Sequence, residues 1–285
     1  MNTKLMMLLI GTWSVGGCAS CRIPIPNPIM INIPNENPTP KLPAIFEQSI
    51  DDLASRSKCS EFRFDHYDGE KIVPPKNYLK GLLYSYAQAA CKNDPIINDI
   101  LSLPAKSADS FASYKIDSNL ANAYALVLGL GLWESSGHAW EGIDVSCKRP
   151  NKITSDTAEA GAWQTSWDSN SVSGSKLNAF FNSWKGFCFT KEYYEGVNTS
   201  SLNVVNNGPE SEIGFMFQEK SKACPAFASE YTALVVKLSG QEHYWPLKQH
   251  KAQFIPACKN MFESVQKLIQ ADPEICKSFS SVNSR

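Results

Sequence analysis

The residues of this chain that could do chemistry gather between positions 133 and 167. A carboxylate, Glu134, directly follows the apolar run from Asn119 to Trp133. Burial beside Leu132 and Trp133 would disfavour the anion and raise its pKa. A raised carboxyl pKa is what a general acid needs near neutral pH. The plainer alternative is that Glu134 opens a polar loop and is solvated. Further acids follow at Glu141, Asp144, Asp156 and Glu159, and then the stretch Thr157-Ala-Glu-Ala-Gly161-Ala-Trp163-Gln164-Thr-Ser-Trp167. Its small residues permit close backbone approach, and Gln164 offers both a donor and an acceptor. Trp133, Trp140, Trp163 and Trp167 are four of the chain's seven tryptophans. Aromatic faces beside amides and acids suit a carbohydrate groove; against that stands the reading of these tryptophans as core.

Glu134-Ser135 at the end of an apolar helix, followed 27 residues later by Gly161-Ala-Trp163-Gln164, resembles the lysozyme-like superfamily. Goose-type lysozymes and lytic transglycosylases are the nearest branches. Glu134-Ser-Ser-Gly, Glu141-Gly-Ile-Asp144, Cys224-Pro-Ala-Phe-Ala-Ser-Glu-Tyr231 and His243-Tyr-Trp-Pro246 resemble a bacterial lysozyme-like group as well. The resemblance spans about 117–250. It implies an α+β, predominantly helical, lysozyme-like fold with a small β-hairpin region after a buried central helix, stabilised by disulfides. It implies Glu134 as general acid, Gln164 lining the sugar subsites and Tyr231 on the groove-wall helix. Ser135, Glu159 and Trp163 complete the expected substrate-binding set. The chain departs from the pattern at Trp163, where the family often has Met, and at Ser166, where goose-type enzymes often have an acid. No Ala-Tyr-Asn motif is clear around Tyr231.

Glycoside hydrolysis usually needs a second carboxyl, whose separation from the first sets inversion or retention. Asp144 is the first candidate, because the chain after Glu134 could fold back across a cleft. Glu141, Asp156 and Glu159 compete. Without a second acid, a lytic transglycosylase becomes attractive, in which the sugar's own 6-hydroxyl closes an anhydro ring and one Glu serves as acid and then base. A rival from another class is a non-catalytic wall-binding lipoprotein, indifferent to loss of Glu134. A serine enzyme is weaker: Ser55-Arg-Ser-Lys58 and Ser173-Gly-Ser-Lys176 spell SxxK but lack the partner motifs. The expected partner is the peptidoglycan glycan strand, with no cofactor.

The elements that must position these residues read as helices. The spacing predicts them over Ile45–Lys58, with Ile45, Phe46, Ile50 and Leu53 on one side, and over Pro75–Cys91. Asp94-Pro95 reads as a cap and first-turn proline. Asn119–Trp133 is apolar all round and too short for a membrane, so it reads as a buried central helix. Residues 135–174 read as short strands and loops. Helices return in Lys176–Trp184, Pro209–Glu219, Ala226–Leu238 and Leu247–Gln270, with Pro256 kinking or breaking the last. A domain over 45–285 follows, divided into 45–116, a core over 117–250, and 251–285.

Residues 1–17 have the layout of a secretory signal. Val15-Gly-Gly-Cys18 resembles a lipobox, which would lipidate Cys18 and anchor an exported protein in the periplasm or at the outer membrane; plain cleavage after Ala19 is the alternative. Residues 18–44 form a proline-rich tether, with seven prolines over 22–43 and a reach of ~70 Å at about 3.1 Å per residue. Setting Cys18 aside leaves eight cysteines, an even number that suits disulfides in an exported chain. Cys188 and Cys224 bracket the far side of the expected groove, and Cys258 and Cys276 are placed to pin the C-terminal helices. Neither the cysteines nor the four isolated histidines have metal-ligand spacing. With 27 basic against 28 acidic residues, the chain lacks the electrostatic footprint of a nucleic-acid binder.

Overall fold

A computed structural model describes residues 40–92, 94–102, 120–142, 154–172, 175–195, 211–239 and 253–280. These residues are predominantly helical. The chain runs α1 (Ala44–Arg56), a short 3-10 turn (Lys58–Glu61), strands β1 (Phe64–Asp65) and β2 (Lys71–Ile72), α2 (Lys76–Lys92) and α3 (Pro95–Ser102). It continues through α4 (Leu120–Ser135), a 3-10 helix (Trp167–Val172), α5 (Ser175–Ser183) and α6 (Thr190–Tyr194). The last four helices among the described residues are α7 (Glu212–Ala223), α8 (Pro225–Ser239), α9 (Pro256–Ala271) and α10 (Glu274–Ser280).

The centre of the molecule is α4. Every residue from Ala121 to Trp133 is buried, as the all-round apolar sequence requires. Helices α2, α8 and α9 pack around it, and α2 in turn carries α1, α6 and α10. Local signals start several helices. The Asp94 carboxylate accepts from the backbone N–H of Ile96 at 2.8 Å, with Pro95 in the first turn. The Ser211 hydroxyl caps α7 by accepting from Gly214 N–H at 3.1 Å. Pro256 starts α9 rather than kinking a longer helix, and residues 253–255 before it are not helical.

Two expectations are corrected. Ile45, expected on the same apolar side of α1 as Phe46, Ile50 and Leu53, is 77% exposed; the buried stripe runs through Phe46, Ile50 and Ala54. Between 135 and 174, the described residues hold no strand beyond one isolated bridge, Ala160 to Thr165. Residues 160–165 are instead buried together in a single turn closed by that bridge. The one two-stranded sheet among the described residues lies earlier, with Phe64 opposite Ile72 and Asp65 opposite Lys71.

Among the described residues, three disulfides join distant parts of the chain. Cys59–Cys258 fastens the 3-10 turn after α1 to the start of α9, and Cys91–Cys276 fastens the end of α2 to α10. The C-terminal helices are thus pinned as the spacing suggested, each to a cysteine of the N-terminal portion. Cys188–Cys224 links the segment before α6 to the α7–α8 junction. The proposed leader, most of the tether with Cys18, Cys21, Cys147 and the 243–246 motif lie outside the described residues. No described helix is long and apolar enough to cross a membrane.

Candidate active site

The site begins where α4 stops. Glu134 is half-buried, the one residue between Ala121 and Ser135 that is not fully buried. The helix ends in an abrupt reversal made by two consecutive left-handed residues, Ser136 (φ 57°) and Gly137 (φ 80°). Ser136 N–H still donates to Leu132 O at 3.2 Å, while Gly137 N–H reaches back to Gly131 O at 3.0 Å. A left-handed conformation is costly for a residue bearing a Cβ. At Gly137 a Cβ would also lie 2.9 Å from the Tyr78 ring. Glu134 is therefore presented on a rigid helix terminus against a tightly turned chain.

A second turn, residues 160–165, is fastened to the first. The Ser135 hydroxyl donates to Ala162 O at 2.8 Å and to Gly131 O at 3.2 Å. Gly161 N–H donates to Glu141 O at 2.7 Å. The Gln164 amide donates to Gly161 O at 2.9 Å and to Gly142 O at 3.1 Å. Gln164 itself adopts φ 45°, a strained conformation for a side-chain-bearing residue and of the kind found at functional sites. Both amide hydrogens are committed to carbonyls. Its Oε1 is then left as an acceptor, 7% exposed as a residue and without a hydrogen-bond partner among the described residues.

Trp163 and Tyr231 take different places from those expected. Both are completely buried, so neither ring offers a face to a groove. Trp163 donates its indole N–H to Val127 O at 2.9 Å, and Tyr78 donates its hydroxyl to Leu128 O at 3.0 Å. Gly131 leaves the space into which both rings fit. Trp163 therefore braces α4 from the side rather than lining sugar subsites. Tyr231 lies on α8 among Phe180, Phe217 and Phe227. Ser135, expected to contact substrate, is buried and joins the two turns. Trp133 and Trp167 are buried too, whereas Trp140 is half-buried and stacks on Tyr194. Tyr194 donates to Lys222 O at 2.6 Å.

Among the second-acid candidates, Glu141 is half-buried and lies beside Glu134's turn, its N–H donating to His138 O at 3.2 Å. Asp156 is half-buried near the start of α7, and Glu159 is exposed on the turn leading to Ala160. Asp144 lies outside the described residues. The sequence reading missed His138, the fourth residue after Glu134. Burial first, and His66 second, hold its imidazole below the usual value. Lys222 was missed as well: at 4% exposure, its amine is pushed down to about 8 by burial. Position in the turn after an acid was the only available signal for His138. Lys222 gave none, because a lysine in a helix reads as surface. Among the described residues, no cluster of His, Cys, Asp or Glu is arranged to hold a metal ion.

No family model, curated protein or solved structure matches the chain.

Proposed function

We propose that the protein is an exported glycosidase that cleaves the β-1,4 bond between N-acetylmuramic acid and glucosamine, acetylated or deacetylated, in peptidoglycan. The observation that carries this reading is the half-buried Glu134 on the end of α4, joined through Ser135 to the turn that holds Gln164. Glu134 protonates the leaving glycosidic oxygen as the C–O bond breaks, and the ring passes through an oxocarbenium-like state. A second carboxylate, Asp144 or Glu141, activates water or stabilises the cation from the other face. The Gln164 Oε1 acceptor suits a sugar hydroxyl or the N–H of an acetamido group. Lipidation at Cys18 and the proline-rich tether would hold this domain away from a membrane.

Digestion of native and deacetylated peptidoglycan, with product masses read for both, tests the proposal. Reducing ends mark a hydrolase. Anhydro-muramyl ends mark a transglycosylase with Glu134 as sole acid and base. Tight binding without any product marks a non-catalytic wall-binding protein.

A further inference from the structure

We propose that the β1–β2 hairpin carries an additional sugar-binding platform, the ring of Tyr67, which lengthens the glycan groove beyond the Glu134 turn. The inference rests on the glycan-cleaving reading of that site.

The hairpin is built to present Tyr67. Gly69 N–H donates to His66 O at 2.9 Å and His66 N–H to Glu70 O at 2.8 Å. Gly69 takes φ 86°, which closes the loop at a position suited to glycine. Tyr67 then sits at the outward corner of the turn, 64% exposed. Its ring is nevertheless held in place. It packs against the His66 ring at a tilt of 57°, with centroids 4.1 Å apart. His66 is buried and its Nδ1 is 2.9 Å from the Asp68 carboxylate. A ring held by a neighbour yet 64% exposed is a pre-formed contact surface that loses little freedom on binding.

The hairpin lies next to the candidate site. β1 packs against α4. The Asp65 carboxylate accepts from the Gln253 amide, and the Gln253 carbonyl lies against Gly129, five residues before Glu134. His66 is near enough to His138, in the turn that follows Glu134, to help hold that imidazole below its usual value. Phe62, Tyr67 and Val73, three of the five exposed large hydrophobic residues among those described, fall on the hairpin or directly beside it.

Charge around the ring points to a sugar rather than a protein. Tyr67 is followed by Asp68, Glu70 and Lys71, so it is not part of a broad apolar patch of the kind that seats a protein. A pyranose presents an apolar C–H face to stack on an aromatic ring and hydroxyls at its rim for polar neighbours. Packing of β1 against α4, the helix that ends in Glu134, makes the occupant the same glycan strand that enters the active site.

The test uses the full chain carrying Glu134→Gln, so that ligand is bound but not cut, with and without Tyr67→Ala. The probes are soluble peptidoglycan glycans of one and of three disaccharide repeats, titrated by calorimetry. Tyr67→Ala should weaken the long glycan about tenfold, or about 1.4 kcal/mol, and leave the short one unchanged; Tyr67→Phe should bind both normally. Equal affinity of Tyr67→Ala for the long glycan overturns the platform alone. Full peptidoglycan cleavage by Glu134→Gln, or no binding of either glycan, overturns the glycosidase reading and the platform with it.

Discussion

The Ser135 hydroxyl donates to the Ala162 carbonyl at 2.8 Å, across 27 positions of sequence. The residue beside the candidate acid is thereby tied to the residue two places before Gln164. Loss of the hydroxyl leaves a buried carbonyl without its donor, at a cost of about 1–3 kcal/mol. Ser135→Ala should therefore lower thermal stability measurably. If the bond positions Glu134 against Gln164, kcat should fall about tenfold while KM holds. A variant that melts early but turns over normally would give Ser135 a purely structural part.

Glu134→Gln should reduce peptidoglycan cleavage by at least ~100-fold, the lower range for loss of a positioned general acid. The half-buried side chain lies at a helix end and the substitution keeps its shape. The melting temperature should move by no more than about 2 °C. Turbidity clearance of peptidoglycan and a thermal melt on the same sample measure both. Wild-type clearance by the variant refutes the acid assignment.

Gly131 is where α4 receives its two buttresses. A Cβ there would collide with the Tyr78 hydroxyl and lie 2.8 Å from the Trp163 indole nitrogen. Gly131→Ala should destabilise the fold by about 1–3 kcal/mol, in the range for overpacking a tight core. The gain in helix propensity at this position, at most about 1 kcal/mol, is the smaller effect. Denaturant unfolding followed by tryptophan fluorescence reads both the loss and any release of Trp163.

Much of the helical frame was legible in the sequence, for physical reasons. α4 has no polar residue strong enough to offer solvent a face before Glu134, so burial was its only stable outcome. Asp94-Pro95 specified a helix start by chemistry local to two residues. The reading failed where burial is decided by neighbours distant in the chain. Trp163 read as groove or core from sequence, and only the carbonyl of Val127 and the space at Gly131 settle it as core. Tyr231 followed a motif, but Phe180, Phe217 and Phe227 enclose it. The β1–β2 hairpin escaped because two-residue strands carry too little periodicity to detect.

Lys220 gives a stability prediction with a definite sign. Burial, and then the neighbouring Lys92, push its amine down to about 8. In the unfolded chain a lysine titrates near 10.4. Between those values the unfolded state holds more protons, so stability rises with pH. Below about pH 8 the folded protein carries the full cost of a buried ammonium. It is partly offset by the rings of Phe181 and Phe227 at 4.7 and 4.5 Å and by the bond to Phe181 O at 2.9 Å. Lys220→Met should melt higher than wild type at pH 7, by about 1 kcal/mol, and the gap should narrow from pH 8 to pH 10. A gap that is constant with pH would show that Lys220 is not the titrating group.

Cys59–Cys258 and Cys91–Cys276 make the chain a clasped loop rather than a line. A single backbone cut anywhere between residues 92 and 257 leaves two pieces held by at least these two bridges, at two separate points. Such a nick frees neither piece to diffuse away, and the entropy gained on unfolding stays limited by the crosslinks. The cut protein would run as one band until reductant is added. A protein with this closure stays one molecule after a first cut in that span, because severing the backbone there does not divide it.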